Sequence, residues 1–266
     1  PPPDTCPMDA PTPGLPQLHL HDGCATLTLH RPAHHNRLHV EDLQALLQHF
    51  EQLARRSDVQ VLVLTGTGAS FCSGFHIGSI DEGPASTNAG PRLFEQTVDA
   101  LEALALPTVC RLNGSVYGGA TDLALACDFR VGVDSMTLRM PAVRLGLHYY
   151  PSGLQRYVSR LGLGAAKRLF MLAETVPAAT LLRIGYLDGV CPADQLDAEV
   201  QHLVDALRAG APLALRGMKA SLNELARGTA DLAELRAREN HCAASDDLRE
   251  GKAAFAEKRA PRFQGR

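Results

Sequence analysis

The stretch Asn113-Gly114-Ser115-Val116-Tyr117-Gly118-Gly119-Ala120-Thr121-Asp122-Leu123 runs from a strand-like segment through glycines into a helix. Glycines let a ligand approach the backbone closely, and the first amides of a helix lack internal acceptors and point outward. Two readings follow. In one, the Gly119 amide donates to a developing oxyanion, and Asp122, one helical turn onward, is the ionisable group beside it. In the other, the glycines make a tight turn and Asp122 only favours the helix N-terminus electrostatically. A second segment bears on the choice. Phe71-Cys72-Ser73-Gly74-Phe75-His76-Ile77 follows an apolar, β-branched run at Val59 to Leu64. It can bring another amide to the same point, as a two-donor oxyanion hole requires.

Outward from these segments the pattern is mixed. Leu18 to His30 alternates apolar and polar residues around Asp22-Gly23 and predicts a hairpin. Leu43, Leu46, Leu47 and Phe50 recur at helical spacing between Val40 and Arg55, and Val59 to Leu64 reads as a buried strand. The Gly/Ser-rich span Thr65 to Gly90 is too long to be a mere connector, and loops of this kind carry function. Pro91 to Leu104 predicts a helix, Thr108 to Leu112 a strand, Gly118 to Ala126 a helix and Phe129 to Val133 a strand. Beyond Leu163 the pattern is almost wholly helical. No internal sequence repeat is visible.

Composition narrows the class. A chain of 266 residues, 45% hydrophobic and 21% charged, can bury a sizeable core. No uninterrupted apolar run approaches the ~20 residues that cross a bilayer. A formal charge of −3 gives no general attraction to nucleic acid or anionic lipid. The seven cysteines, Cys6, Cys24, Cys72, Cys110, Cys127, Cys191 and Cys242, form no CxxC pair and read as reduced, mostly buried thiols of a soluble cytoplasmic protein. Residues 1–16, PPPDTCPMDAPTPGLP, lack the basic start and apolar stretch of a secretory signal, and their prolines predict an extended or disordered segment.

The pairing of the Phe71–Ile77 loop with the glycine-rich segment resembles the crotonase, or enoyl-CoA hydratase/isomerase, superfamily. Further stretches carry the resemblance in order from about Leu18 to Gly265. They are Leu29-His30-Arg31-Pro32 through Asn36, Leu64-Thr65-Gly66, Leu106-Pro107-Thr108-Val109, Ala126-Cys127-Asp128-Phe129-Arg130, Arg144-Leu145-Gly146, and Glu250-Gly251 followed by Ala254-Phe255-Ala256-Glu257-Lys258-Arg259. The resemblance implies an α/β fold: a crotonase-like ββα spiral core over residues 17–160, then a helical region over 161–266 that covers the site and mediates trimerisation, as a homotrimer or dimer of trimers. It implies that the amides of Phe75 and Gly119 hold the thioester oxygen of an acyl-CoA substrate and favour its enolate. It also places Ala33, His34 and His35 near the adenine of CoA, and Phe255 and Lys258 near the nucleotide. Charge attraction to phosphate suits Lys258, with a solvated cation late in a helix as the alternative account. No metal or redox cofactor is called for, since coenzyme A is part of the substrate.

The departures from the family pattern concern proton transfer. Enoyl-CoA hydratases of this family use two glutamates; here the first position is Asp122, one methylene shorter, and the second is Ala142 in Pro141-Ala142-Val143. Alanine cannot transfer a proton. Downstream, Leu145-Gly146-Leu147-His148-Tyr149-Tyr150-Pro151-Ser152-Gly153 replaces the usual glycine- and proline-rich turn. His148 can act as acid or base near neutrality and either tyrosine can donate a hydrogen bond; aromatic packing with satisfied polar tips accounts for them equally well. Some decarboxylases of the superfamily also lack the glutamates and have a tyrosine where Tyr149 falls. His76 stands where the family often has aspartate, and Gly78 where many hydratases have a lysine directed at CoA phosphate. Arg139 and Arg144 flank Ala142 and can meet an acidic substrate or simply face solvent. The expectation is hydration of a 2-enoyl-CoA, with decarboxylation or another lyase reaction through the same enolate as the enzymatic alternative. A non-catalytic acyl-CoA-binding protein is the alternative of another class.

Overall fold

The chain enters the fold as a hairpin. Strands β1 (Gln17–His21) and β2 (Cys24–Leu29) pair antiparallel across Asp22-Gly23. Both turn residues have positive φ, 44° and 72°, which a tight Asp-Gly turn between twisted strands requires. The structure is a computed structural model describing residues 14–76, 78 and 89–266. The expected extended segment 1–16 therefore lies almost wholly outside the described residues, as does Ile77.

Three ββα turns follow from the hairpin. Each sends its first strand to a larger sheet and its second to a smaller one. Strands β3 (Val61–Gly66), β5 (Thr108–Leu112) and β7 (Phe129–Val133) join the larger sheet, whose order is β1-β2-β3-β5-β7-β10. Strands β4 (Ser70–Cys72), β6 (Ser115–Tyr117) and β8 (Thr137–Arg139) form the smaller sheet, closed by β9 (Val176–Pro177) in the order β4-β6-β8-β9. Every residue of β3 is buried because parallel neighbours flank it on both edges, and its Val-Leu-Val-Leu run suits that position.

Helix α1 (Val40–Ala54) follows the hairpin, and α2 (Ala89–Ala103) and α3 (Ala120–Ala126) close the first two of these turns. Helix α1 buries Leu43, Leu46, Phe50 and Leu53 along one face, and α3 is buried on all sides. Helix α4 (Pro151–Lys167) starts with proline in its first turn, where the missing N–H costs nothing, and runs on into a π-turn at Arg168–Leu172. The expectation of an almost purely helical chain beyond Leu163 needs two corrections. Strand β9 completes the smaller sheet, and β10 (Gly189–Cys191) pairs parallel with β7 in the larger one. Both are only two or three residues long, too short for a periodic signal. Helices α5 (Ala178–Arg183), α6 (Leu196–Arg208), α7 (Pro212–Arg227), α8 (Leu232–Ala243) and α9 (Asp246–Glu257) make up the rest.

Two polar residues tie distant segments together. Asp128 accepts from the Thr108 amide at 2.7 Å and from Lys219 Nζ at 2.8 Å, joining β5 and α7 to the turn before β7. Asn36, only 1% exposed, donates to the carbonyls of Thr67, Ser70 and Phe71 and accepts from the Arg31 amide, with φ at 54°. It thereby fixes the 3-10 turn at Pro32–His34 against β4. Asn36→Ala strands those buried groups and places a Cβ residue without a local hydrogen bond in the left-handed region. The expected loss is about 1–3 kcal/mol in unfolding free energy, measured by urea denaturation.

Candidate active site

Strands β4, β6 and β8 are adjacent and parallel, so the segments leaving their C-terminal ends emerge side by side. Cys72 pairs with Val116, and Val116 with Leu138. Three residues beyond the first pair lie Phe75 and Gly119, the two amides singled out in the sequence. Four beyond Leu138 lies Ala142, in a 3-10 turn at Ala142–Leu145. The sheet register therefore gathers three expected positions at one edge.

Close backbone approach holds the first two segments together. Gly74 has φ at 94°, and a Cβ there would stand 2.8 Å from the Tyr117 carbonyl and 3.2 Å from the Gly119 nitrogen. Only glycine lets the loop after β4 lie against the start of α3. The loop is fastened on its far side as well. Leu38 donates to Gly74 O at 2.9 Å and His76 to Leu38 O at 2.8 Å, while the Ser73 amide reaches His35 O at 2.8 Å. Cys72 Sγ donates to Asn36 O at 2.9 Å, and burial pushes this thiol up to about 12, so it is a packing and hydrogen-bonding group rather than a nucleophile. In these backbone pairings the Phe75 and Gly119 amides are not the donors.

Phe94 of α2 was not singled out by the sequence. Its ring lies directly on Gly119, where a Cβ would be 2.7 Å from the ring tip. The ring centroid is 5.9 Å from that of Phe75 and 6.1 Å from that of Tyr150. One aromatic side chain thus spans from the loop after β4 to the start of α4.

Asp122, in the first turn of α3, is fully buried. Its Oδ2 accepts from Arg156 at 2.6 Å and from the Tyr150 hydroxyl at 2.5 Å, whereas Oδ1 is buried without a partner. Arg156 is itself 1% exposed and also meets Asp99 at 2.6 Å and Glu102 at 3.2 Å on α2. Burial raises the Asp122 carboxyl above the usual carboxylate range, against the opposing pull of the Arg156 charge and the Tyr150 hydrogen bond. Burial works against the Arg156 charge, but the Asp122 and Glu102 carboxylates outweigh it and leave Arg156 more firmly protonated than an ordinary arginine.

The aromatic cluster divides in three. Tyr150 bonds Asp122 directly. Tyr149 stacks on it with centroids 4.3 Å apart, and its hydroxyl donates to Tyr150 at 3.3 Å. His148 is exposed, with Nδ1 at 2.8 Å from the Tyr149 carbonyl oxygen, and does not join the Asp122 cluster. Both tyrosines are half-buried, and their hydroxyls resist ionisation because of burial and the nearby Asp122 charge. Ala142 is buried and apolar. Nothing in the primary sequence marked Arg156, because helix α4 was not legible there.

The expected CoA-binding positions lie at the surface. Ala33 and His34 lie in, and His35 just after, the exposed 3-10 turn that straps the loop after β4, with His35 Nδ1 at 3.0 Å from Ser70 Oγ. Phe255, 88% exposed, and the exposed Lys258, which closes α9 at φ 55°, stand on the C-terminal helix. His76 packs on His39 with centroids 4.8 Å apart. Arg139 and Arg144 turn to the carbonyls of Ala173 and Leu172.

Known proteins resemble the chain over almost its whole length. The sequence profile of the enoyl-CoA hydratase/isomerase family matches residues 19–266. Bacillus subtilis YngF is 32% identical over 248 residues, covering 91% of this chain and 94% of that protein. The 2,3-dehydroadipyl-CoA hydratase of Escherichia coli is 29% identical, covering 90% and 94%. Among solved structures, an enoyl-CoA hydratase from Bacillus anthracis superposes with a TM-score of 0.86 at 25% identity, covering 94% of this chain and 99% of that one.

The Phe94–Gly119 contact gives a test of the site's geometry. Gly119→Ala drives a methyl into the Phe94 ring and is expected to cost about 1–3 kcal/mol of stability by overpacking. Phe94→Ala opens that space. The double variant in a urea-denaturation cycle is therefore expected to show a coupling of about 0.5–3 kcal/mol that relieves the Gly119→Ala penalty.

Proposed function

Because the chain belongs to the enoyl-CoA hydratase/isomerase family, we propose that it binds an acyl-CoA thioester with its carbonyl oxygen between the Phe75 and Gly119 amides, and hydrates a 2-enoyl-CoA. The observation carrying this reading is the side-by-side emergence of β4 and β6, with Gly74 allowing the two amide-bearing segments to touch. Two donors aimed at the thioester oxygen favour the enolate over the ground state, because charge develops on that oxygen during the reaction. Asp122 is the acid/base residue beside it. With Ala142 in place of a second carboxylate, the water and the α-carbon proton are handled from the Asp122 side of the cavity.

Decarboxylation of a malonyl-type CoA is a second reading, favoured by the same apolar Ala142. Loss of carbon dioxide generates the enolate without a base, and only protonation remains. Ala33, His34, His35, Phe255 and Lys258 are read as the CoA contacts, with no metal or redox cofactor. The outward-facing apolar side chains of Met218, Leu222, Leu225, Leu232 and Phe255 on α7, α8 and α9 support assembly as a homotrimer or dimer of trimers. Among the described residues no helix is long and apolar enough to cross a membrane; the location proposed is cytoplasmic.

The test is a panel of enoyl- and malonyl-type CoA esters, followed by loss of the enoyl thioester absorbance or by release of carbon dioxide. Hydration is expected, falling about 10²–10⁴-fold in kcat/KM in Asp122→Ala. Carbon dioxide release without hydration overturns the first reading in favour of the second. Acyl-CoA binding without turnover of any ester makes the protein a binder rather than an enzyme. The pH profile supplies a further check. A carboxylate base works only when ionised, so kcat/KM falls as pH drops through its pKa. Since burial raises Asp122, the acid limb is expected above the ~4 of an ordinary aspartate.

A further inference from the structure

We propose that Tyr150 is the second acid/base residue of this site, its phenol taking the part that Ala142 leaves open. The inference rests on the acyl-CoA reading above and names the group through which the buried carboxylate works. Three observations carry it. Asp122 presents no exposed surface, and the oxygen that makes its hydrogen bonds is already held by Arg156 and Tyr150. Tyr150 is half-buried, so the surface this pair shows to its surroundings belongs to the tyrosine. Its ring also meets Phe94, the side chain that lies on Gly119 and meets Phe75, which puts the phenol on the same wall as the two oxyanion amides.

The neighbours separate Tyr150 from its rivals. His148 lies outside the cluster, and Tyr149 reaches Asp122 only through Tyr150. The groups around the carboxylate are Arg156, Tyr149, Tyr150 and Tyr157 from α4 and its start and Glu102 from α2, with Asp99, Arg160 and Arg227 in contact with Arg156 or Glu102. Of these, Tyr150 has both a transferable proton and a direct bond to Asp122, and it is half-buried rather than enclosed.

The hydration step then balances as follows. The water oxygen bonds to the β carbon, and one of its protons passes to the Tyr150 oxygen as the Tyr150 proton moves to Asp122. The β carbon's π electrons shift toward the thioester, whose oxygen carries the charge between the two amides. Return of a proton through Tyr150 to the α carbon discharges the enolate and restores both side chains. Arg156 keeps the carboxylate fixed throughout and stays protonated.

The experiment compares Tyr150→Phe, Tyr149→Phe, Asp122→Asn and the Tyr150→Phe/Asp122→Asn double variant. Turnover is measured with a four-carbon 2-enoyl-CoA and binding with the saturated four-carbon acyl-CoA. Tyr150→Phe is expected to lower kcat about 10²–10⁴-fold, with the Kd for the saturated ester within about threefold of wild type, and Tyr149→Phe to lower it less than about tenfold. Because the two groups act as one unit, adding Tyr150→Phe to Asp122→Asn is expected to cost almost nothing more. The fall in kcat at the pH optimum reads the proton transfer, and the pH profile reads the Tyr150–Asp122 bond itself. Here removal of the hydrogen bond that favours the Asp122 carboxylate is expected to shift the acid limb of the residual activity to higher pH. Wild-type kcat in Tyr150→Phe, or full additivity in the double variant, overturns the assignment while leaving the enzyme reading intact. A wild-type protein that turns over no ester removes both.

Discussion

The parallel pairing of β4, β6 and β8 is the constraint from which the site follows. Parallel neighbours have their C-terminal ends at the same edge of the sheet, so whatever the next few residues carry is delivered to one place. Here the pairing of Cys72 with Val116 and the close approach of Gly74 to Gly119 bring the first two segments together, and Ala142 follows β8, the third strand of the same sheet. The strands are only three residues each and could not stand alone. They are held by the larger sheet behind them, by the Asn36 hydrogen bonds to β4, and by a glycine whose missing side chain lets backbone lie on backbone.

The charges beneath the site obey a different constraint. Arg156 and Asp122 are both almost completely removed from water, and an isolated buried charge is far too costly to persist. Arg156 therefore engages Asp99, Glu102 and Asp122 together, and Glu102 in turn meets Arg160 and Arg227. The result ties α2, α3, α4 and α7 around the carboxylate. Such a network adds little net stability compared with apolar packing. What it supplies is a fixed orientation for Asp122, leaving Oδ1 without a partner in a place where most buried polar atoms have one.

Much of this architecture was legible in the sequence wherever the signal was long or chemically specific. Asp22-Gly23 announced its hairpin, and α1 falls on the residues its periodicity marked. The glycines at 118 and 119 marked the turn from β6 into α3. Short elements were another matter: β6, β8, β9 and β10 offer two or three residues each, and their pairing is decided by partners far away in the chain. Helix α4 escaped because its start is crowded with tyrosine, proline and glycine, residues that read as a turn. With α4 went Arg156, and so the reason Asp122 is buried. The His148-Tyr149-Tyr150 cluster was visible as chemistry, yet which ring faces Asp122 depends on how the chain enters α4, with Tyr150 as the residue capping it.

The single methylene by which aspartate falls short of glutamate ties these two constraints together. A carboxylate drawn back toward α3 lies within reach of Arg156, and the same retraction leaves room for the Tyr150 hydroxyl at hydrogen-bond distance. An arginine alone would hold the carboxylate ionised and make it a poor base, because stabilising the charged form lowers proton affinity. Burial works the other way and prevails, leaving Asp122 with a proton affinity above that of a solvated aspartate. The tyrosine hydroxyl is itself kept neutral by the adjacent carboxylate and by burial, so its proton is present at physiological pH and shared with a group of raised basicity. Alanine at position 142 has no proton to give or take. The shortened first carboxylate instead keeps a phenol at hydrogen-bond distance, so the titratable pair held together here is Asp122 and Tyr150.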